Sequence, residues 1–199
     1  MLLSLTLEEF TGNPLYKLGC ELHFNGDFVK LTYEIGGDVS GLLVAPARKS
    51  PQFVDTLWQS TCFECFVLDP SSGYYLEFNQ SSSGDWAAFL FRGYRQKVED
   101  ITDPGFRPRD PVLLRTARGL RFEYSLALSP RLFELIKVGD GGNIFFQPTV
   151  VLQTTDGQLG FYAKNHGKEK ADFHRSDLFA LQVYRQEGAW SEAISNSSQ

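Results

Sequence analysis

Between residues 58 and 95 the hydrophobic and polar positions alternate as three consecutive strands, at residues 60–68, 74–80 and 86–94. The turn segments Asp69-Pro70-Ser71-Ser72-Gly73 and Ser81-Ser82-Ser83-Gly84-Asp85 separate them. Side chains two apart share a face of a strand. Alternation therefore gathers Phe63, Cys65, Val67, Leu76, Phe78, Ala87, Phe89 and Phe91 onto one apolar face, predicted to be core. The opposite face carries Cys62, Glu64, Phe66, Tyr75, Glu77, Asn79, Trp86, Ala88, Leu90 and Arg92. With loops of about four residues, Phe66 falls opposite Glu77, Glu64 opposite Asn79, and Asn79 opposite Trp86. Flat rings beside charged acceptors and donors are what a polar ring ligand such as a sugar requires. The structural alternative is an ion-pair network of Glu64, Glu77 and Arg92 under a loop, or a face half-covered by another strand.

The rest of the chain is also β in pattern. Residues 2–7, 20–24 and 28–35 read as strands, and Ile35-Gly36-Gly37-Asp38 reads as a tight turn into a strand at 39–44. Ser50-Pro51 suits the start of a short helix through Val54. Residues 96–111 are polar and rich in proline, hence a surface loop. Two hairpins follow, 112–116 with 120–128 through Arg118-Gly119, and 143–154 with 158–164 through Asp156-Gly157. Between them Ser129-Pro130 caps a helix that carries Leu132, Phe133 and Leu135. A last strand spans 179–184. Residues 186–199, rich in Ser, Glu and Asn around Trp190, read as a mobile tail to a single domain at 1–185. Hairpin spacing without a βαβ rhythm predicts an all-β, antiparallel, jelly-roll-like β-sandwich with one or two short helices.

Composition narrows the partners. Aromatic residues make up 14 % of the chain, with 17 Phe, which favours strands over helices. A net charge of -5 and the lack of a basic stripe argue against nucleic acid. The N-terminal pattern lacks the charged and apolar regions of a leader, and no apolar run approaches a membrane span, so a cytoplasmic protein without a membrane partner is expected. The spacing Cys62-Phe63-Glu64-Cys65 looks like a metal or redox motif, but on a strand the two sulfurs point to opposite faces. No cofactor is expected.

The words LWQSTCFECFVLDP, YYLEFNQSSSGDWAAFLFRGYR and YAKNHGKEKADFHRSDLFALQV, in this order, resemble the DOMON-like domains related to family 9 carbohydrate-binding modules. The resemblance covers most of residues 1–184 and is strongest to a bacterial subgroup of stand-alone domains. It implies a sandwich whose concave sheet holds a ligand, a sugar in the modules and a haem in some DOMON domains. Family 9 modules clamp a sugar between Trp rings, a role for which Trp58 and Trp86 are the internal candidates. Haem held by Met and His is excluded because Met1 is the sole methionine. Other haem or metal ligation would draw on His23, Lys164, His166 or His174, with Asp172 or Asp177; the stronger reading is that Asp172 and His174 pin a long loop to the sheet.

Glu64 and Glu77, one cross-strand diagonal or about 7 Å apart, also invite a glycosidase reading. Against it stand the lack of a nucleophile–base pair or a Ser elbow, and the position of Gly139-Asp140-Gly141-Gly142 after a helix instead of between strand and helix. Arg92, if on the same face, neutralises the carboxylates. The sequence thus favours a non-catalytic module binding a small molecule, a carbohydrate or similar ring, through Trp58, Glu64, Tyr75, Glu77, Asn79, Trp86, Arg92 and His174. A cryptic glycoside hydrolase and a haem or apolar-ligand carrier are the alternatives.

Overall fold

The computed structural model describes residues 1–11, 14–138, 142–186 and 189–192. Strands β1 (Leu2–Glu9), β2 (Lys17–Asn25) and β3 (Phe28–Gly36) form a meander that β9 (Gly119–Ala127) and β8 (Arg109–Thr116) extend. A second layer runs β7 (Lys97–Asp100), β6 (Trp86–Arg92), β5 (Tyr74–Gln80), β4 (Cys62–Leu68), β10 (Asn143–Gln153) and β11 (Leu159–Ala163). β12 (Leu181–Gln186) pairs with the start of β10, and β13 (Ala189–Glu192) pairs with β12. Every ladder is antiparallel. The layers join where the end of β1 pairs with β11, Glu8 with Ala163 and Glu9 with Tyr162, so one curled sheet makes both halves of the sandwich.

The two layers bury a common core. Leu31, Tyr33, Phe122 and Tyr124 from the first meet Phe63, Val67, Leu76, Phe78 and Phe146 from the second. Phe63 stacks on Phe122 with ring centroids 4.1 Å apart. Each such ring taken out of water contributes about 1.5–3 kcal/mol. The buried Tyr33 hydroxyl donates to the Glu64 carbonyl at 2.7 Å and lies 3.3 Å from the Tyr124 hydroxyl, so both of these hydroxyls are paired.

The expected all-β class and most strand centres hold. The helix α1 (Pro130–Leu135) forms where Ser129-Pro130 predicts it, and the Ser129 hydroxyl accepts from the Leu132 amide at 3.2 Å. Four local expectations fail. Residues 39–44 form no strand; Leu42 makes an isolated bridge to Thr154, and the Leu43 amide donates to the Gln153 carbonyl at 2.8 Å. Residues 50–54 form no helix; Gln52 and Val54 hydrogen-bond along Trp86 instead, and the helical turn there is the 3-10 segment Leu57–Gln59. The stretch after Gln96 is no mere loop, because β7 forms within it as an edge strand beside β6. The tail begins with the paired strand β13, whose Trp190 packs near Phe24, while residues 187–188 and 193–199 lie outside the described residues. So do three residues of the glycine-rich stretch, 139–141.

The fifth failure matters most for function. β4 and β5 pair as predicted, Glu64 opposite Asn79 and Phe66 opposite Glu77, but β5 and β6 pair Gln80 with Trp86, not Asn79 with Trp86. The loop 81–85 is closed by the Ser81 amide donating to the Asp85 carbonyl at 2.9 Å, which seats one residue more in the turn than expected. Gly84 turns the chain with φ +91°, and a Cβ there would meet Pro51 at 2.9 Å. A shift of one residue inverts every side chain of β6. Trp86, Ala88 and Leu90 therefore enter the core, while Ala87, Phe89 and Phe91 take the other face with Cys62, Glu64, Tyr75 and Glu77.

Candidate functional site

That second face of β4, β5 and β6 is not solvated. Together with β10 and β11 it forms the floor of a cavity of about 480 Å³, to which the floor contributes Glu64, Phe66, Glu77, Phe89, Phe91, Val151 and Phe161. Two loops wall it. The first, around the turn at Leu57–Gln59, brings Asp55 and Trp58; the second, between β11 and β12, brings Ala171, Phe173 and His174. Arg95 and Lys97, from the turn between β6 and β7 and the start of β7, stand at the remaining edge.

The carboxyls are buried in this floor. Glu64 is only 2 % exposed and Glu77 5 %. One Glu64 oxygen, Oε2, accepts from the Thr149 hydroxyl at 3.2 Å; the other, Oε1, has no hydrogen-bond partner among the described residues. The Cys62 thiol beside this carboxyl is too weak a donor to satisfy it. Glu77 Oε1 accepts from the Asn79 amide at 2.7 Å, and its Oε2 lies 3.6 Å from His174 Nε2. Burial first, and then the Glu77 charge, push the Glu64 carboxyl well above the usual range. Burial also pushes Glu77 up to about 7, against the pull of Asn79, Arg95 and Lys97. His174 goes the other way, down to about 4, through burial and the Arg95 charge.

A hydrogen-bond chain fixes the imidazole. The Tyr75 hydroxyl accepts from the Arg95 amide at 3.3 Å and meets His174 Nδ1 at 2.9 Å. With the hydroxyl donating to Nδ1, the proton of the neutral ring sits on Nε2, facing Glu77; with Nδ1 donating, Nε2 is an acceptor. Rings complete the packing: Tyr75 stacks on Phe91 at 4.8 Å, and the His174 ring meets Phe91 edge-on at 4.9 Å and Phe66 at 5.3 Å. Asp172 clasps the loop to the β6–β7 turn. It accepts from the Tyr94 hydroxyl, from Arg95 Nη2 at 2.9 Å and from the His174 amide at 3.2 Å. Those hydrogen bonds outweigh burial and hold its carboxyl below the usual range.

Of the residues expected at a site, the structure brings Trp58, Glu64, Glu77 and His174 to the cavity lining. Tyr75 and Asn79 share the face and support it from behind, through His174 and Glu77. Trp86 and Arg92 do not belong. Trp86 is 4 % exposed in the core edge-on to Phe53, and Arg92 is exposed on that same side of the sheet, because β6 is inverted relative to the expectation. No pair of Trp rings can form; Trp58, 50 % exposed, faces the cleft without Trp86. The sequence reading missed Phe89 and Phe91 through the same slip, and missed Arg95, Lys97, Asp55, Phe161 and Phe173. Placing Trp86 opposite Gln80 recovers the first two.

Among the described residues no cluster of three or more His, Cys, Asp or Glu converges. His166 bonds the Glu8 carbonyl at 2.7 Å, far from the Tyr75–His174 pair in role and partners. Cys62 and Cys65 are buried in different clusters on opposite faces of β4.

No protein-family model matches the chain, and no curated protein does. Solved structures do. A candidate carbohydrate-binding protein from Bacteroides uniformis superposes with a TM-score of 0.66 at 14 % identity, over 92 % of this chain and 86 % of that one. Two structures of a family 9 carbohydrate-binding module from Caldicellulosiruptor kristjanssonii are similar at lower scores. The one with glucose has a TM-score of 0.47 at 12 % identity, over 87 % of this chain and 81 % of that one. The one with cellotriose has 0.49 at 13 %, over 94 % and 88 %. At such identities the likeness to the Bacteroides protein is one of fold, and the DOMON resemblance remains one of sequence words.

Proposed function

We propose that this chain is a non-catalytic binding module that takes a carbohydrate or a similar hydroxylated ring in the cleft over β4, β5 and β6. One observation carries the reading: Glu64, whose buried Oε1 has no partner among the described residues, lines a cavity ringed by Trp58, Phe89, Phe91 and Phe173. A buried polar atom without a partner costs about 1–3 kcal/mol, and a ligand hydroxyl removes that cost. Protonated Glu64 offers a donor, Glu77 an acceptor, and the exposed Trp58 a stacking surface for a ring. The fold shared with a candidate carbohydrate-binding protein supports the choice of ligand class.

The paired carboxyls favour a second reading, a glycoside hydrolase, since one buried carboxyl rides well above its usual range and the other near 7. Their depth among apolar rings and the neutral His174 suit recognition better than proton transfer to a leaving group. Calorimetric titration of a panel of mono- and oligosaccharides into wild type, Trp58→Ala and Glu77→Gln tests both. Binding should weaken by about 0.5–1.5 kcal/mol beyond lost area in the first variant and by about 1.5–3 kcal/mol in the second. An affinity untouched by either change removes the cleft as the site, and glycan cleavage in the same samples favours the hydrolase.

A further inference from the structure

The charges in the cleft are sorted by depth, and that ordering says which sugar-like ring it should prefer. Glu64 and Glu77 occupy the floor. The two cations at the edge are already answered from outside the cleft, Arg95 by Asp172 at 2.9 Å and Lys97 by Asp100 at 2.8 Å. Among the described residues, no cation reaches either floor carboxyl with a hydrogen bond or ion pair, and His174, the nearest basic group, is held neutral. Asp55 on the wall adds a further negative charge. Two carboxyls one cross-strand diagonal apart in a buried floor resist ionising together, and a positive charge between them relieves that.

A metal ion is a poor candidate for that charge. Hard cations take six or more oxygen ligands, whereas much of the surface around the two carboxyls is aromatic. Aromatic faces carry negative potential and suit an organic ammonium, whose hydrogens reach carboxylate oxygens while its carbon skeleton lies on rings. Resting on the binding reading above, we propose that the cleft selects hydroxylated rings bearing a protonated amine, with the ammonium seated between Glu64 Oε1 and Glu77 Oε2 and the ring against Trp58. No covalent step is involved. The ammonium donates to both carboxyls, and the proton that they hold in the free protein leaves to solvent.

The experiment compares a 6-amino-6-deoxyhexoside, its N-acetyl derivative and the parent hexoside by calorimetry at pH 7, in two buffers of different ionisation enthalpy. The amine should bind about tenfold or more tighter than the parent, as charge-assisted hydrogen bonds replace neutral ones. It should release about one proton per site, while the two neutral ligands release none. Glu64→Gln and Glu77→Gln should each bring the amine's affinity down to that of the parent hexoside measured on the same variant. Proton release is read on wild type, so the test does not depend on a variant that folds. If the parent binds as tightly as the amine, or the amine binds without releasing a proton, the ammonium inference falls and the sugar site stands. If none of the three binds, both fall together.

Discussion

The two faces of β4, β5 and β6 are almost equally buried, yet they are different environments. On the inner face Phe63, Val67, Leu76, Phe78, Trp86 and Leu90 meet the opposite layer, and the hydroxyls that reach it, Tyr33 and Tyr124, are paired. On the outer face Phe66, Phe89 and Phe91 are as apolar, but they surround Glu64, Glu77 and Asn79, with Glu64 Oε1 and Asn79 Oδ1 unpartnered among the described residues. Burial alone does not tell scaffold from site in this protein. What separates them is charge: the inner face of these three strands carries no carboxyl, whereas the outer face holds Glu64 and Glu77, with one Glu64 oxygen unpartnered among the described residues.

The largest effect that can break this contrast is on stability. Phe63→Ala removes a ring stacked in the shared core and should cost about 3–5 kcal/mol in a denaturant melt. Phe89→Ala borders an existing cavity and should cost less than half as much. Equal losses would show the outer face to be core as well.

A second contrast is in pH dependence. The folded state holds protons on Glu64 and Glu77 that the unfolded chain, with its carboxylates near 4.5, has already lost. Their stabilisation is complete below 4.5 and disappears as pH rises, through about 7 for Glu77 and higher for Glu64. His174 acts with the opposite sign, present above 6.5 and lost as pH falls towards about 4, so it offsets Glu77 between 4.5 and 6.5. Above 6.5 only the carboxyls remain. The melting temperature of the wild type should therefore fall from pH 6.5 upward, and the Glu64→Gln, Glu77→Gln double variant should be flat there. A flat wild type would mean that the floor is wetter than its burial implies.

The smallest effect concerns the wall. Asp172→Asn keeps the shape but weakens the hydrogen bonds to Tyr94, Arg95 and the His174 amide, at a cost of about 1–2 kcal/mol. Amide exchange should quicken in residues 171–175 and not in β4. Uniform quickening would assign Asp172 to global stability instead of to the cleft.

How much of this was legible beforehand follows from where the information lies. The β4–β5 register could be read because Asp69 to Gly73 is a short turn flanked by unambiguous alternation, and Glu64, Phe66 and Glu77 came out on the correct side. β6 could not, since Trp86 to Phe91 is apolar on both faces and alternation gives no phase there; the turn decided it, and the turn was counted one residue short. Arg95 and Lys97 sit in a stretch with the composition of a loop, where edge pairing alone makes a strand. Phe173 and His174 approach the floor by tertiary folding of the segment between β11 and β12, which no local period encodes. Asp172 and His174 do pin their loop, but through Tyr94, Arg95 and Tyr75, partners far along the chain that no local spacing encodes.

The position of β10 bears on the order of events during folding. This strand lies between β4 and β11, and it pairs Val151 with Cys62 and Thr149 with Glu64 across more than eighty positions of chain. The β4–β5–β6 meander closes locally, whereas β10 must wait for the whole intervening segment, and long closures are slow. The hydroxyl that orients Glu64 and the valine beneath the rings thus arrive with the late strand. Competence to bind is expected to emerge in the slowest refolding phase, after most β-structure has formed; ligand capture that keeps pace with the earliest far-ultraviolet signal in stopped flow would contradict this. A nascent chain of this design would present the Glu64–Glu77 floor to water for much of its maturation and shelter it only when the long-range ladder zips shut.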